Sequence, residues 1–455
     1  MNSGSKHITL IGAGPAGTLL SIYLARRDYR VTVYERRPDL RRTDIPAGRS
    51  INLALANRGM SALAEVGLGA PVNELLIEMR GRMLHDERGD QQLQLYGRKP
   101  HEFIYSISRQ ALTALLLNAA EATGRVQILF NHSCQRIDFA RHLLSIRDES
   151  QGAVQPVEFE RVIGCDGIHS PVRQALLEAA SGRCVEEPLD HGYKELSIPP
   201  GTGGAFQMEP HALHIWPRGG YMLIALPNQD GGFTVTLFLP NEGLDSFATL
   251  TSAGAVRSFF ERNFPDAVPL MAHLADEFFA HPTGGLSTIR TTPWHYGGAA
   301  VILGDAAHAI VPFHGQGMNC AFEDCSTLNA CMERYGEDWA AVFAEFERLR
   351  KPNAEAIADL SLENYVEMRS TVRDPKFQLK KELAWRIEER HPHRFIPRYS
   401  MVMFHRLPYA EAKRRGAVQE EILEALTAGI TDLDQIDYAY ADRLVSERLT
   451  ELAEP

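Results

Sequence analysis

Residues 7–35 read HITLIGAGPAGTLLSIYLARRDYRVTVYE, and this stretch decides the fold. HITLI is an apolar run of strand length, Gly12, Gly14 and Gly17 follow at GxGxxG spacing, TLLSIYLARR has helical periodicity, and RVTVYE is a second strand ending on Glu35. Strand, glycine turn, helix, strand and an acid about 20 residues beyond the glycines make up the dinucleotide-binding fingerprint. Gly12 permits the turn, Gly14 lets a pyrophosphate approach the backbone, and Gly17 lets helix and strand pack closely. Glu35 is placed to accept hydrogen bonds from ribose hydroxyls, and its charge disfavours a 2′-phosphate. Without a ligand the same residues would be a glycine-rich turn.

A second stretch, VILGDAAHAIVPFHGQGMN at 301–319, brings a dinucleotide and a substrate to one point. Val301–Leu303 reads as a buried strand entering a turn at Gly304, with Asp305 at its end able to accept from a sugar or ribityl hydroxyl. Pro312 stiffens the following loop, while Gly315 and Gly317 let its backbone approach a flat ligand. Met318 to Met332 reads as a helix whose N-terminal amides would favour electron density on a reduced flavin ring. The bland alternative is an ordinary strand, turn and helix.

Between these stretches, Arg36, Arg37, Arg41, Arg42 and Arg49 form a basic cluster, usually a solvated loop. Ser50–Leu55 reads as a segment beside the cofactor. GRMLHD and LQLYG, split by ERGD, alternate like strands and suggest an inserted sheet domain. Ser108–Ala122 reads as a helix with Arg109 in its first turn, either a phosphate contact or a surface arginine. GCDGIHSPVR at 164–173 places Asp166 in a turn ahead of a helix started by Ser170 and Pro171. ALHIW, YMLIALP and FTVTLFLP, separated by PRGG and NQDGG, read as an antiparallel sheet with an apolar face able to floor a flat pocket. From residue 333 onward the pattern is helical, with apolar periodicity from Trp339 to Phe346 and from Ala354 to Met368, then at 377–391 and 417–427, and a proline-bearing break at HPHRFIPRY.

The 455 residues allow two or three domains with a large core, and 44% hydrophobic with 23% charged residues fit a globular protein. A net charge of -11 argues against nucleic acid or an anionic membrane as the main partner. The six cysteines show no CxxC pair and no metal-ligand spacing, and Cys320, Cys325 and Cys331 read as small apolar residues on one helix. No run approaches the roughly 20 apolar residues of a membrane span, and the start lacks a signal peptide pattern. The expectation is a soluble, cytoplasmic protein.

Taken in order, GAGPAG with Glu35, GCDGIHSPVR and GDAAHAIVPFHGQGMN resemble the single-component FAD-dependent aromatic hydroxylases over roughly residues 7–365. RSINLALANRG, GRMLHD, YSISRQ, PFHGQGMNCAFEDC and PRYSMV narrow the likeness, to about residue 405, to members that hydroxylate L-kynurenine at ring position 3. The resemblance implies an α/β fold: a Rossmann-like FAD-binding domain (1–70, 106–180 and 290–332), an inserted antiparallel-sheet substrate domain (71–105 and 181–289) and a C-terminal helical region (333–455). It implies FAD as cofactor and NADPH as co-substrate without a Rossmann site of its own, in agreement with the single glycine fingerprint. It further implies O2 adding at flavin C4a and a hydroperoxide transferring its distal oxygen to the ring. Eukaryotic members carry an apolar membrane-anchoring tail, whereas this chain ends LVSERLTELAEP. A homodimer is left open.

By the same resemblance, cofactor contacts fall on Gly12, Gly14, Ala16, Gly17, Glu35, Arg36, Ala54, Arg109, Asp166, Gly304, Asp305, Gly315, Gly317, Met318 and Asn319. Arg82, Tyr96, Asn364 and Tyr399 fall on positions that hold the amino-acid end of the substrate. Leu213, Ile215, Met222, Ile224, Leu226, Phe238, Pro312, Phe313 and Met368 would wall its ring. The cofactor carries the chemistry, so neither a catalytic triad nor a metal is required. His314 and Gln316 are candidate flavin-side loop contributors, His314 as a base or as a shaper of the pocket. The alternatives are a hydroxylase of another aromatic acid and a non-catalytic flavin-binding redox sensor.

Overall fold

The structure is a computed structural model that describes residues 6–43 and 52–452. Arg49, Ser50 and Ile51 lie outside the described residues. Both strands of the fingerprint form as read, as His7–Ile11 and Arg30–Glu35, flanking the helix Pro15–Arg26. They are the centre of a six-stranded sheet in the order His295–Tyr296, Ala300–Ile302, Val162–Gly164, His7–Ile11, Arg30–Glu35, Val126–Phe130. All neighbours are parallel except the first pair. A parallel sheet buries both faces, and its strands are accordingly near-continuous in Val, Ile and Leu. The carboxyl ends of four strands, at Ile11, Glu35, Gly164 and Ile302, therefore open along one edge of the sheet, where ligands of such folds bind.

The second sheet has seven strands, ordered Gly284–Thr292, Arg183–Ile198, Phe233–Pro240, Met222–Pro227, Ala212–Pro217, Gly81–His85, Gln91–Leu95. It is antiparallel apart from the parallel pair Ala212–Pro217 with Gly81–His85. Period-2 alternation divides its side chains between two cores. Leu213, Met222, Leu226 and Phe238 join a cluster with Phe313, Tyr365 and Met368. Trp216, Leu223, Ala225 and Leu237 pack on the opposite face against Phe259, Phe260 and Phe278.

A small sheet, Asn52–Leu55, Ile104–Ser108 and Leu76–Met79, crosses the expected boundaries at 70/71 and 105/106. Pairing with distant strands, which a linear division of the chain does not register, joins these segments. The strand Gly284–Thr292 likewise runs past residue 289. A meander of His132–Asp138, Leu143–Asp148 and Val154–Glu158 lies in a stretch to which the sequence pattern assigned no strands.

The apolar stretches on either side of Pro352 form one helix of 31 residues, Trp339–Arg369. Its C-terminal half belongs to the core facing the seven-stranded sheet. Helices Pro375–Arg390, Tyr409–Leu426 and Tyr438–Arg448 build a cluster of their own around Leu383, Ile387, Ile422 and Val445. All six cysteines are free, and Cys320, Cys325 and Cys331 are buried on the helix Gly317–Tyr335. Among the described residues no helix is long and apolar enough to cross a membrane.

Candidate active site

One cavity of about 940 Å³ runs from the glycine turn to the apolar face of the seven-stranded sheet. At its first end Gly12 adopts φ +99°, and a Cβ there would lie 2.4 Å from the Cys165 carbonyl oxygen. A Cβ on Gly17 would lie 2.1 Å from the Gly12 oxygen, so Gly17 serves the packing of helix on strand and does not line the cavity. Gly14 does line it, has no protein atom within 4 Å of an added Cβ, and caps the helix Pro15–Arg26 without a side-chain partner. That leaves an open helix N-terminus, whose amides and dipole attract an anion such as a pyrophosphate.

Glu35 holds this turn in place. Its Oε2 accepts from the Ala13 amide at 2.8 Å, and its Oε1 accepts from the amide and Nε of Arg37 at 2.9 and 2.8 Å. Burial alone would raise its pKa, but the bonds from Arg37 and Ala13 outweigh it and hold the carboxyl below its usual value. Glu35 and Arg36 both line the cavity, as do Ala16, Arg109, Asp166, Gly304 and Asp305. Asp305 opens the short helix Asp305–His308 with its side chain exposed. Arg109 starts the helix Arg109–Ala122, capped by Ser108.

Asp166 accepts from the Val172 amide at 3.2 Å through Oδ2, while its Oδ1 is shielded from solvent without a hydrogen-bond partner. Burial pushes its pKa up to about 6. A solvent-shielded acceptor beside an open helix terminus is the kind of group a polyhydroxylated, phosphate-bearing cofactor satisfies. The residues present thus fit FAD.

Ala54, Gly315, Gly317 and Met318 line the middle of the cavity, but Asn319 does not. Its amide is fully buried, donating to the carbonyls of Ala54 and Gly315 at 2.9 and 2.8 Å and accepting from the Ala56 amide at 2.9 Å. Asn319 therefore clamps the strand Asn52–Leu55 to the loop Pro312–Gly317, and both N–H donors of its side chain are taken by these backbone carbonyls. Gln316 is also fully buried and turned away from the cavity.

At the far end, Arg82 pairs with Glu367 at 2.8 Å and donates to Asn364 Oδ1 at 3.3 Å. Its guanidinium lies over the rings of Tyr399 at 5.2 Å and Tyr96 at 5.8 Å, which stack on one another with centroids 5.3 Å apart. His314 also stacks on Tyr399, with ring centroids 5.5 Å apart. Leu213, Met222, Ile224, Leu226, Phe238, Pro312, Phe313 and Met368 complete the lining. Ile215, expected with them, is fully buried behind the surface.

Among the described residues that line this end of the cavity, three polar atoms are buried without a hydrogen-bond partner: Arg82 Nε, the Tyr96 hydroxyl and His314 Nδ1. Two of them belong to the residues expected at the amino-acid end. Burial first, then the charge of Arg82, lowers the pKa of His314 to about 4, which leaves the imidazole neutral at physiological pH. Glu367 was missed, although it sits one helical turn from Asn364 and so shares its face. Cys165, Tyr193 and Thr236 also line the cavity without having been singled out.

A family model described as an FAD binding domain matches residues 6–186 and 272–361. The kynurenine 3-monooxygenase of Myxococcus xanthus (strain DK1622) is 47% identical over 443 residues, covering 97% of this chain and 95% of that protein. The kynurenine 3-monooxygenase of Stenotrophomonas maltophilia (strain K279a) is 47% identical over 445 residues, covering 98% and 97%. Among solved structures, the tetrameric form of 2-methyl-3-hydroxypyridine-5-carboxylic acid oxygenase superposes with a TM-score of 0.67 at 19% identity, over 82% of this chain and 95% of its own. PqsL of P. aeruginosa, in complex with 2-aminobenzoylacetate, superposes with a TM-score of 0.63 at 19% identity, over 80% and 97%. The structural likenesses establish the shared fold. The near-full-length identity establishes more: the chain belongs to the kynurenine 3-monooxygenase family and is an FAD-dependent monooxygenase.

Proposed function

We propose that the protein hydroxylates L-kynurenine at ring position 3, consuming NADPH and O2. The observation that carries this reading is a single cavity leading from the glycine turn to an apolar chamber that ends on the buried Arg82 Nε and the Tyr96 hydroxyl. An aromatic α-amino acid matches both parts. Its carboxylate would take the free hydrogen-bonding capacity of Arg82 and Tyr96, at about 1.5–3 kcal/mol for each charged bond. Its ring would lie between Leu213, Ile224, Leu226 and Phe238 on the sheet and Phe313 and Met368 opposite.

Bound FAD supplies the redox chemistry, taking a hydride from NADPH and, with O2, delivering one oxygen atom to the ring. The chain's part is to hold the cofactor, orient the ring and exclude water. Gly14 and the open end of the helix Pro15–Arg26 would take the pyrophosphate, Asp305 and Asp166 hydroxyl groups, and Arg109 a phosphate oxygen. The aniline ring of kynurenine is already electron-rich, so a neutral His314 has only to shape the pocket. NADPH would approach without a nucleotide fold of its own.

The test is aerobic incubation of the purified holoenzyme with NADPH and L-kynurenine, followed by chromatography and mass analysis. A product one oxygen heavier, matching the 3-hydroxy compound, supports the assignment. Consumption of NADPH with another aromatic acid but no product from kynurenine would replace it.

A further inference from the structure

We infer that Tyr409 is a positioning residue for the loop Pro312–Gly317, acting through the side chain of Gln316. The inference rests on the reading above, that this loop faces a flavin and an aromatic substrate. Pro312, Phe313, His314, Gly315 and Gly317 all line the cavity, and only Gln316 points away. The Tyr409 hydroxyl donates to Gln316 Oε1 at 2.6 Å, and Gln316 Nε2 donates to the Met403 sulfur at 3.0 Å. Both ends of the amide are thus held by the helices Arg398–Met403 and Tyr409–Leu426, through residues 87 and 93 positions further along the chain. Among the described residues two other side chains tether the loop, Asn364 to the Phe313 carbonyl and Asn319 to the Gly315 carbonyl, and both come from helices beside the cavity.

Tyr409 is itself fixed. Its fully buried ring lies 3.9 Å from the Arg58 guanidinium. Arg58 pairs with Glu323 at 2.6 Å and donates to the carbonyls of Val402 and Leu407. Glu323 also pairs with Arg350, which pairs with Asp324 at 2.7 Å. Asp324 in turn accepts from the Gly304 amide at 2.9 Å and from His308 at 2.7 Å. One buried polar network therefore joins the C-terminal helices to both turns that line the middle of the cavity, at 304–305 and at 312–317. Networks this fully satisfied hold a single arrangement. An oxygen-transfer step needs that arrangement, because a misplacement of about 1 Å can cost on the order of 100-fold in rate.

The consequence is a partition. In coupled turnover NADPH, a proton, O2 and the aromatic ring give NADP+, water and the ring bearing one hydroxyl. When the ring is misplaced, NADPH, a proton and O2 give NADP+ and hydrogen peroxide, and the ring is unchanged. Loss of the tether should move turnover from the first to the second.

The test uses holoenzyme carrying Tyr409→Phe, which keeps the ring under Arg58 and removes only the hydroxyl, and separately Gln316→Leu. FAD content, thermal unfolding, the fluorescence of bound flavin, and hydroxylated product and peroxide per NADPH oxidised are measured. Both variants should retain FAD and show altered flavin fluorescence. Product per NADPH should fall at least about 5-fold with a matching rise in peroxide, and the double variant should be no worse than either single one. An unchanged partition in both variants overturns the inference, whether or not the melting temperature falls. If wild-type enzyme makes no product from kynurenine, the substrate assignment fails separately. The tether is then judged by flavin fluorescence, and emission identical to wild type in both variants overturns it.

Discussion

The side-chain amide of Asn364 donates to the backbone carbonyl of Phe313 at 2.7 Å, tying the long helix Trp339–Arg369 to the loop that packs against it, where Phe313 stacks on Tyr365 at 3.8 Å. The oxygen of the same amide accepts from Arg82 at 3.3 Å. One residue therefore sets both the loop over the ring and the guanidinium at the chamber's end. Asn364→Ala removes both bonds, at about 1 kcal/mol each, and should lower kcat/KM for kynurenine roughly 10- to 100-fold. FAD content should not change. Steady-state kinetics and flavin absorbance check this, and a kcat/KM within a factor of about 2 of wild type would refute it.

Two glycines of one motif should fail in different ways. Gly14 has φ -67° and open space where a Cβ would go, so Gly14→Ala should fold with an unchanged melting temperature when FAD-free. The new methyl group projects where the pyrophosphate would approach, and FAD affinity should fall at least about 10-fold. Gly17→Ala places a Cβ 2.1 Å from the Gly12 oxygen and should yield misfolded or insoluble protein, since backbone has to move to admit it. Thermal scans of FAD-free protein with FAD titration separate the two. Equal stability loss in both would contradict the assignment.

Asp166 makes the FAD-free protein pH-sensitive. Its folded-state pKa, about 6, lies above the unfolded value. Between pH of about 4 and 6 the folded chain binds a proton that the unfolded chain has released, so this group's contribution to stability falls as pH rises through that window. Asp166→Asn should then stabilise FAD-free protein at pH 7.5 by up to roughly 2–3 kcal/mol and flatten the pH dependence below 6. Melting temperatures at three pH values suffice, and a variant less stable than wild type at pH 7.5 would count against it.

Much of the architecture was legible because it depends on local pattern. HITLI, RVTVYE and the three hairpin strands carry their periodicity in consecutive residues, and their observed bounds follow it closely. The strands between 126 and 158 were not legible: Val126–Phe130 finds its partner in Arg30–Glu35, and no feature within VQILF announces that pairing. Pro352 lies within a continuous helix because tertiary packing on both sides outweighs its local cost.

At the site, the residue types were readable and their directions were not. Asn319 and Gln316 sit in the flavin-side motif, yet both side chains serve backbone and neighbouring helices. Whether a loop side chain points inward depends on what packs behind it. For Gln316 that is Tyr409, and no spacing rule connects the two.

The central claim is that this cavity brings kynurenine to the flavin. It is tested most directly by the anaerobic rate at which NADPH bleaches the visible absorbance of the bound flavin, with and without L-kynurenine, followed by admission of air and product analysis. Strong acceleration by kynurenine, with the 3-hydroxylated compound formed on aeration, is the predicted result. A single slow rate that kynurenine leaves unchanged, with no hydroxylated product, would contradict it.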